Sequence, residues 1–317
     1  MIVAAAVSLI WCFVAIRLGP KIGYIDRPGD DPILKTHEHP AVPLGGVGIF
    51  LGVSVAAIAR GGPDVTLLLA TGIVLVLGLV DDRRGLPPAV RLLVELVAAL
   101  VLVLGDSQSG DGPLDLIVGI VLVIFAINAV NLFDGLDGLA SSVALVTALG
   151  LAWLSAGRGL DTEAPLELAA ALGGFLVFGW HPAKVFLGDA GAYVVGVLLS
   201  SVILEAGSGG TVQLIVTAGM LGVFAIDLVV TLLRRRLAGH PMFIGDRSHI
   251  YDQLRDRGWS VPMVALRMAA AQAAIVLIVV GVDQSLAPWP SFFLLAAMLI
   301  VTLAVLSGLG FLRPQPR

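Results

Sequence analysis

The sequence predicts an all-α, polytopic integral membrane protein with about eleven transmembrane helices, the N-terminus outside and the C-terminus cytoplasmic. Three observations lead there. Of 317 residues, 58% are hydrophobic and only 13% charged, with a mean hydropathy of +0.99, whereas a soluble domain carries about 25% charged residues. Apolar runs recur from end to end, near 1–18, 44–60, 64–80, 88–105, 114–131, 139–157, 166–180, 190–206, 211–233, 262–282 and 289–312, most of them near the length needed to cross a bilayer. The basic residues are also one-sided. With the N-terminus outside, all of the 19 Lys and Arg except Arg60 and Arg158 fall on the inner face, as the positive-inside rule requires.

Other classes are excluded on the same grounds. A transmembrane barrel needs short alternating segments, which are absent. No polar stretch is long enough for a separate soluble domain, so a single transmembrane domain over 1–317 in the cell membrane is expected, with lipids as surroundings and no nucleic-acid partner. Met1 to Ile16 runs straight into Arg17 without a basic leader, which reads as an uncleaved first helix. The single cysteine, Cys12, lies in that run and rules out an internal disulfide.

This topology opens the polar loops on one face. The first carries Lys35, His37 and the Pro43, Gly45, Gly46 turn, where Lys35 and His37 suit a phosphate or nucleotide as well as they suit a solvated basic loop. Next come Asp81 and Asp82 at the inner end of an apolar run, followed by Arg83 and Arg84. Carboxylates at a helix C-terminus oppose the macrodipole, which a facing cation, lysine or phosphate would offset; the flanking arginines could equally balance them. Arg91 and Glu95, one turn apart, can pair.

The central stretch holds Asn128, Asn131, Asp134 and Asp137 with Gly135 and Gly138. On an unbroken helix Asn128 and Asp137 would face opposite ways; a break at the glycines would let all four groups converge on one pocket. The alternative is a plain polar turn. A later loop carries His181, Lys184, Phe186 and Asp189, with Gly188 and Gly191 beside the carboxylate, and glycines there allow a large ligand close to the backbone. Asp227 lies inside an apolar run and calls for a polar partner in the bundle. In the last loop Arg234, Arg235 and Arg236 read mainly as topology anchors, while Arg247, His249 and the neighbouring aromatics suit an anionic substrate.

Carboxylates and asparagines gathered on one face repel unless a cation joins them, and all-oxygen donors favour magnesium or a similar hard ion. Basic loops beside them suit a phosphorylated substrate, and the adjoining helices suit a lipid tail. Phosphoryl transfer to a lipid-linked acceptor combines these features. The rival is a cation-coupled transporter, whose acids belong near the bilayer midplane instead of at one interface.

In order, Lys35-Thr-His37, Asp81-Asp82, Asn128-x-x-Asn131-x-x-Asp134-Gly-x-Asp137-Gly, His181-Pro-Ala-Lys-Val-Phe186-x-Gly-Asp189 and Asp246-Arg247-x-His249 resemble the polyprenyl-phosphate N-acetylhexosamine-1-phosphate transferase superfamily, glycosyltransferase family 4. The resemblance spans nearly the whole chain. It implies transfer of a sugar 1-phosphate from a UDP-amino sugar to undecaprenyl or a similar polyprenyl phosphate with release of UMP, an early membrane step in cell-envelope glycan synthesis. The cofactor implied is Mg2+, for which Mn2+ can substitute, and the family leaves room for a homodimer.

By the same resemblance, Asp189 and Asn131 would coordinate the metal. Asp81 would deprotonate or orient the attacking lipid phosphate, assisted by Asp82. Asp137 and Phe186 would hold the uracil, Asp134 and Lys35 would support the nucleotide, and His181, Arg247 and His249 would contact the sugar or diphosphate. Direct attack is favoured over a covalent aspartyl intermediate. The chain departs from the family pattern at Gly179, usually Asn; at Ala192, usually Ser; at Arg91, often Lys; and at Tyr251-Asp252, often histidines. The last departure points toward the branch using UDP-N-acetylglucosamine and away from the phospho-MurNAc-pentapeptide branch, which stays the alternative.

Overall fold

The computed structural model describes residues 1–28, 39–62, 64–105, 112–239 and 249–313, and the regular elements among them are helices. They are α1 (Ile2–Leu18), α2 (Gly45–Ala59), α3 (Val65–Arg84), α4 (Pro88–Gly105), α5 (Pro113–Phe133), α6 (Leu139–Arg158) and α7 (Glu163–Gly179), followed by α8 (Gly188–Ala206), α9 (Thr211–Ala218), α10 (Gly222–Leu237), α11 (Ile250–Asp256), α12 (Val261–Ser285) and α13 (Pro288–Gly308). Every apolar run of the sequence becomes helix. Among the described residues, 9 helical stretches are long and apolar enough to cross a membrane; α2, with 15 residues, and α7, with 17, are shorter.

The helix ends follow local chemistry. Asp64 caps α3, its side chain accepting from the amides of Thr66 and Leu67, and α3 stops at Gly85, whose φ of 62° suits a residue without a side chain. Pro88 opens α4 at a position where its missing N–H costs nothing. The 211–233 run is not one helix. It breaks into a 3-10 turn at Gly219–Leu221, and buried Gln272 of α12 satisfies the break by donating to the Met220 carbonyl at 2.6 Å and accepting from the Val223 amide at 3.1 Å. A broken helix in an apolar bundle is tolerated when a neighbour supplies such partners.

The bundle is organised around α8. Its apolar window is 83% buried, against 6% for α13. Small residues explain the closeness of its neighbours. A Cβ on Gly46 of α2 would sit 2.2 Å from the Gly191 backbone, one on Gly78 of α3 would sit 2.2 Å from Ala190 Cα, and one on Gly196 would meet Ile127 Cα of α5 at 2.6 Å. Three helices thus reach α8 at backbone contact, the packing mode that small residues permit in apolar surroundings.

Alternating helices leave two polar ends. At one, the C-terminal ends of α3, α5 and α7 meet the starts of α2, α6 and α8. At the other, Arg60 bonds Asp161 at 2.7 Å and lies 3.4 Å from Glu167, while Arg158 pairs with Asp283 and donates to the Ala206 carbonyl. The two basic residues that stand apart from the rest are therefore both neutralised where they lie. The acids of the central stretch collect at the first end and not in the middle of the bundle.

Gly78→Ala is expected to destabilise the protein by about 1–3 kcal/mol, because helices this close must separate to admit a methyl group. Gly72→Ala, on the same helix with nothing within 4 Å of the added atom, should be neutral or slightly stabilising. Thermal unfolding in detergent distinguishes the two; equal midpoints would refute the packing account.

Candidate functional site

At the polar end lies a cavity of about 500 Å³ lined by Asp82, Asn131, Asp134, Asp137, Phe186 and Asp189, among others. Two loops are laced together to form its floor. Backbone bonds run from the Val42 amide to the Lys184 carbonyl, from Phe186 to Val42, from Gly45 to the Phe186 carbonyl and from Gly46 to the Leu187 carbonyl. The first amides of α2 have no helical acceptor, so the loop before α8 provides one. That lacing sets Phe186 in the cavity wall and delivers the chain to Gly188, where a φ of +71° turns it into α8.

Asp82 crosses from α3 to the start of α8. Its Oδ1 accepts from the Asp189 amide at 3.0 Å and its Oδ2 from Ala190 at 3.5 Å, a favourable place for an anion because the helix dipole and free amides point at it. Asp81 behaves differently. It is 5% exposed and does not line the cavity; it accepts from Tyr193 Oη at 2.8 Å, the Leu86 amide at 2.6 Å and Arg91 Nη1 at 3.3 Å. Asp81 thus sits behind the cavity wall, its oxygens engaged by these donors and its carboxylate beside that of Asp189. Arg91 turns to Asp81 instead of pairing with Glu95.

The glycine break of the central stretch is real, but only three of its four polar groups converge. Asn131, Asp134 and Asp137 line the cavity. Asn128 points away and donates to buried Glu95 of α4 and to the Ile124 carbonyl. Asp137 Oδ2 holds the floor loop, bonded to His181 Nδ1 at 2.8 Å and to the Ala183 amide at 3.1 Å. Burial, together with the charges of Asp189 and Asp137, pushes the Asp134 carboxyl up to about 8. A cation among these groups would relieve that repulsion.

The last loop departs most from expectation. His249 is 4% exposed and lies outside the cavity. Its Nδ1 meets Asp227 Oδ2 at 2.6 Å while the Ile250 amide donates to Asp227 Oδ1 at 2.7 Å. Asp227 thus has its partner, and the two make a buried tie between α10 and α11. Arg234 and Arg235 are buried as well, at 3% each, whereas Arg236 is exposed. Tyr251 stacks on His249, meets Phe133 edge-on and donates to the Leu132 carbonyl, which fastens α11 to the end of α5. Lys35, His37, Asp246 and Arg247 lie outside the described residues.

Residues missed in the sequence also appear. Asp26, His39, Ser141 and Arg255 line the cavity, and Tyr193 grips Asp81. Tyr193 lies four residues after Asp189, one turn along the same helix face, a spacing that could have marked it. At Gly179, a Cβ would lie 2.3 Å from the Phe175 ring. Phe175 fills the room a larger side chain would take at that position.

Most of the side-chain donors lining the cavity are oxygens, from Asp26, Asp82, Asn131, Asp134, Asp137, Ser141 and Asp189, with His39 and His181 at the same wall, and carboxylate and carboxamide oxygens suit a hard cation. Among the described residues no three His, Cys, Asp or Glu side chains close on one point. Magnesium typically takes one or two carboxylates and completes its shell with water and substrate phosphates, so its binding would not require such a cluster.

Asp137→Ala should free the floor loop. Hydrogen exchange at the Ala183 amide is expected to quicken about tenfold, the equivalent of losing roughly 1.5 kcal/mol of hydrogen bonding to a charged group. Unchanged exchange at Ala183 would mean the carboxylate does not hold the loop.

Comparison with known proteins bears on the family. Residues 65–207 match the family model described as glycosyl transferase family 4, a span from α3 to α8 that holds Asp82, Asn131, Asp134, Asp137 and Asp189. A Bacillus subtilis protein described as "Probable undecaprenyl-phosphate N-acetylglucosaminyl 1-phosphate transferase" is 29% identical over 290 residues, 84% of this chain and 80% of the relative. A Yersinia pestis "Undecaprenyl-phosphate alpha-N-acetylglucosaminyl 1-phosphate transferase" is 25% identical, over 93% of this chain and 87% of its own length. The Mycolicibacterium smegmatis "Decaprenyl-phosphate N-acetylglucosaminephosphotransferase" is 30% identical over 294 residues, 77% of this chain and 71% of the relative. With motifs, cavity and relatives in agreement, the chain belongs to glycosyl transferase family 4.

Proposed function

We propose that this protein transfers an N-acetylhexosamine 1-phosphate from a UDP-linked donor to a polyprenyl phosphate and releases UMP. The observation that carries the reading is the single cavity in which Asp82, Asn131, Asp134, Asp137 and Asp189 meet at the end of an apolar bundle. The names of these three relatives, each a polyprenyl-phosphate N-acetylglucosamine-phosphate transferase, support N-acetylglucosamine as the sugar. The positive-inside distribution of Lys and Arg supports a cytoplasmic site.

In the reaction an oxygen of the lipid phosphate attacks the β-phosphorus of the donor. The bond from that phosphorus to the bridging oxygen breaks, UMP takes the electron pair, and the product is a lipid diphosphate sugar. Asp189 and Asn131 would hold Mg2+, which would supply charge neutralisation at the donor diphosphate. Asp82 stands at the start of α8 beside Asp189 and orients the attacking phosphate. Asp81 acts through Arg91 and Tyr193 as a positioning residue. Phe186 offers a face to the uracil, and Asp137 with His181 shapes the pocket around it.

The test is UMP release by purified protein across a panel of UDP-amino sugars, with and without Mg2+ and polyprenyl phosphate. Turnover is expected only with all components, and Asp189→Asn should lower kcat by about a thousandfold, the loss typical of a key electrostatic group, in a protein that still unfolds cooperatively. No release with any sugar would refute the enzyme reading.

A further inference from the structure

Helix α4 packs on α3 and α5, whose ends carry Asp82 and Asn131, yet among the described residues it sends no side chain into the polar cavity. Leu92, Leu93, Leu96 and Val97 are exposed along its outer side, where a bilayer would lie, and Ala98, Ala99, Leu102 and Val103 are buried. Two ionisable side chains interrupt this apolar helix. Arg91 and Glu95 are four residues apart, so they leave the same side of α4 one turn from each other.

They reach different neighbours. Arg91 Nη1 donates to Asp81 Oδ2 at 3.3 Å, and Asp81 also accepts from Tyr193 Oη at 2.8 Å, which ties α4 to α3 and α8. Glu95, 1% exposed, accepts from Asn128 Nδ2, whose amide also donates to the Ile124 carbonyl at 2.9 Å, which ties α4 to α5. One helix thus grips both walls of the cavity from behind, at the residue before Asp82 and three residues before Asn131.

That spacing matters for Asn131. Three residues turn an α-helix through about 300°, so Asn131 leaves α5 roughly 60° away from Asn128. With Asn128 held against α4, Asn131 is directed to the cavity, which it lines. Helix α5 ends soon after, at Phe133, and the next helix starts only at Leu139, so no continuing helix fixes the rotation from the far side. A carboxylate is also a poor means of merely stabilising an apolar bundle, since an apolar side chain of similar size often packs as well or better. What a buried, hydrogen-bonded carboxylate adds is a single geometry.

We propose that Glu95 is a positioning residue: through Asn128 it fixes the rotation of the last turn of α5 and so aims the Asn131 carboxamide into the cavity, at the cation site. The proposal rests on the reading of Asn131 as a holder of Mg2+. Helix α4 is then a strut, with Arg91 setting the end of α3 and Glu95 setting the end of α5.

The test uses the full chain in lipid nanodiscs, with Mn2+ binding followed by electron paramagnetic resonance in the presence of UMP. Glu95→Gln keeps an oxygen within reach of Asn128 Nδ2 and should bind Mn2+ as the native protein does. Glu95→Leu removes the acceptor, and Glu95→Asp keeps the charge but is one methylene shorter. Each should weaken Mn2+ about tenfold, the lower end of what the supporting partners of a metal ligand contribute. The Mg2+ concentration for half-maximal turnover should rise by the same factor, with the KM for polyprenyl phosphate unchanged. Glu95→Leu should unfold at or above the native temperature, which separates lost aim from a loosened bundle. Asn128→Leu should match it, and the double variant should be no weaker than either alone, because both remove one contact.

Unchanged Mn2+ affinity in Glu95→Leu and Glu95→Asp, an equal loss in Glu95→Gln, or additive losses in the double variant overturns the strut while the metal reading stands. A native protein that binds no Mn2+, or binds it equally after Asn131→Ala, refutes the role of Asn131 and the proposal with it. Failure to release UMP from any sugar refutes the reaction alone, and the Mn2+ titrations still decide the strut.

Discussion

The structure depends on one close approach, the start of α8 pressed against α2 and α3. Gly46 against Gly191, and Gly78 against Ala190, leave no room for a methyl group. At that contact Asp82 accepts the first amides of α8. The same few residues thus seal the bundle and set Asp82 beside Asp189. Packing and chemistry share a boundary here, because only glycine and alanine allow a carboxylate on one helix to reach the backbone of another.

Around that contact the polar groups sort into two kinds. Some face the cavity: Asp82, Asn131, Asp134, Asp137 and Asp189. Others face the bundle and hold the first group in place. Asp81 is gripped by Tyr193 and Arg91, Asn128 by Glu95, and Asp227 by His249. A buried charge without a partner is costly, and a partnered one fixes geometry. The supporting pairs let five polar side chains stand in an apolar bundle without collapsing onto one another. Tyr251 extends the support to the last loop, since it spans from α11 to the end of α5.

The end of α3 has a double role. Its last turn presents Asp82 to the polar cavity, and Arg83 and Arg84 to an apolar groove beside α1 and α2.

Much of this was legible in the sequence. Hydropathy located the long helices, since the eleven apolar runs are too long and too frequent for anything but a membrane bundle, but it gave no sign of α11 or of the break between α9 and α10. The ordered motifs likewise marked Asn131, Asp134, Asp137, Phe186 and Asp189, because oxygen donors and glycines at helix ends are out of place in apolar chains. What the sequence left open was direction. Asp81 and Asp82 are neighbours of the same type, and only the packing of α3 on α8 decides that Asp82 faces the cavity. Asn128 and Asn131 differ by less than one turn, yet one finds Glu95 and the other the pocket. His249 looked like a ligand contact until Asp227, far away in sequence, claimed its ring. Composition and spacing determine which groups exist and near which helix end they lie. Their partners are set by helix rotation and interhelical distance, and those are properties of the packed bundle and not of any segment within it.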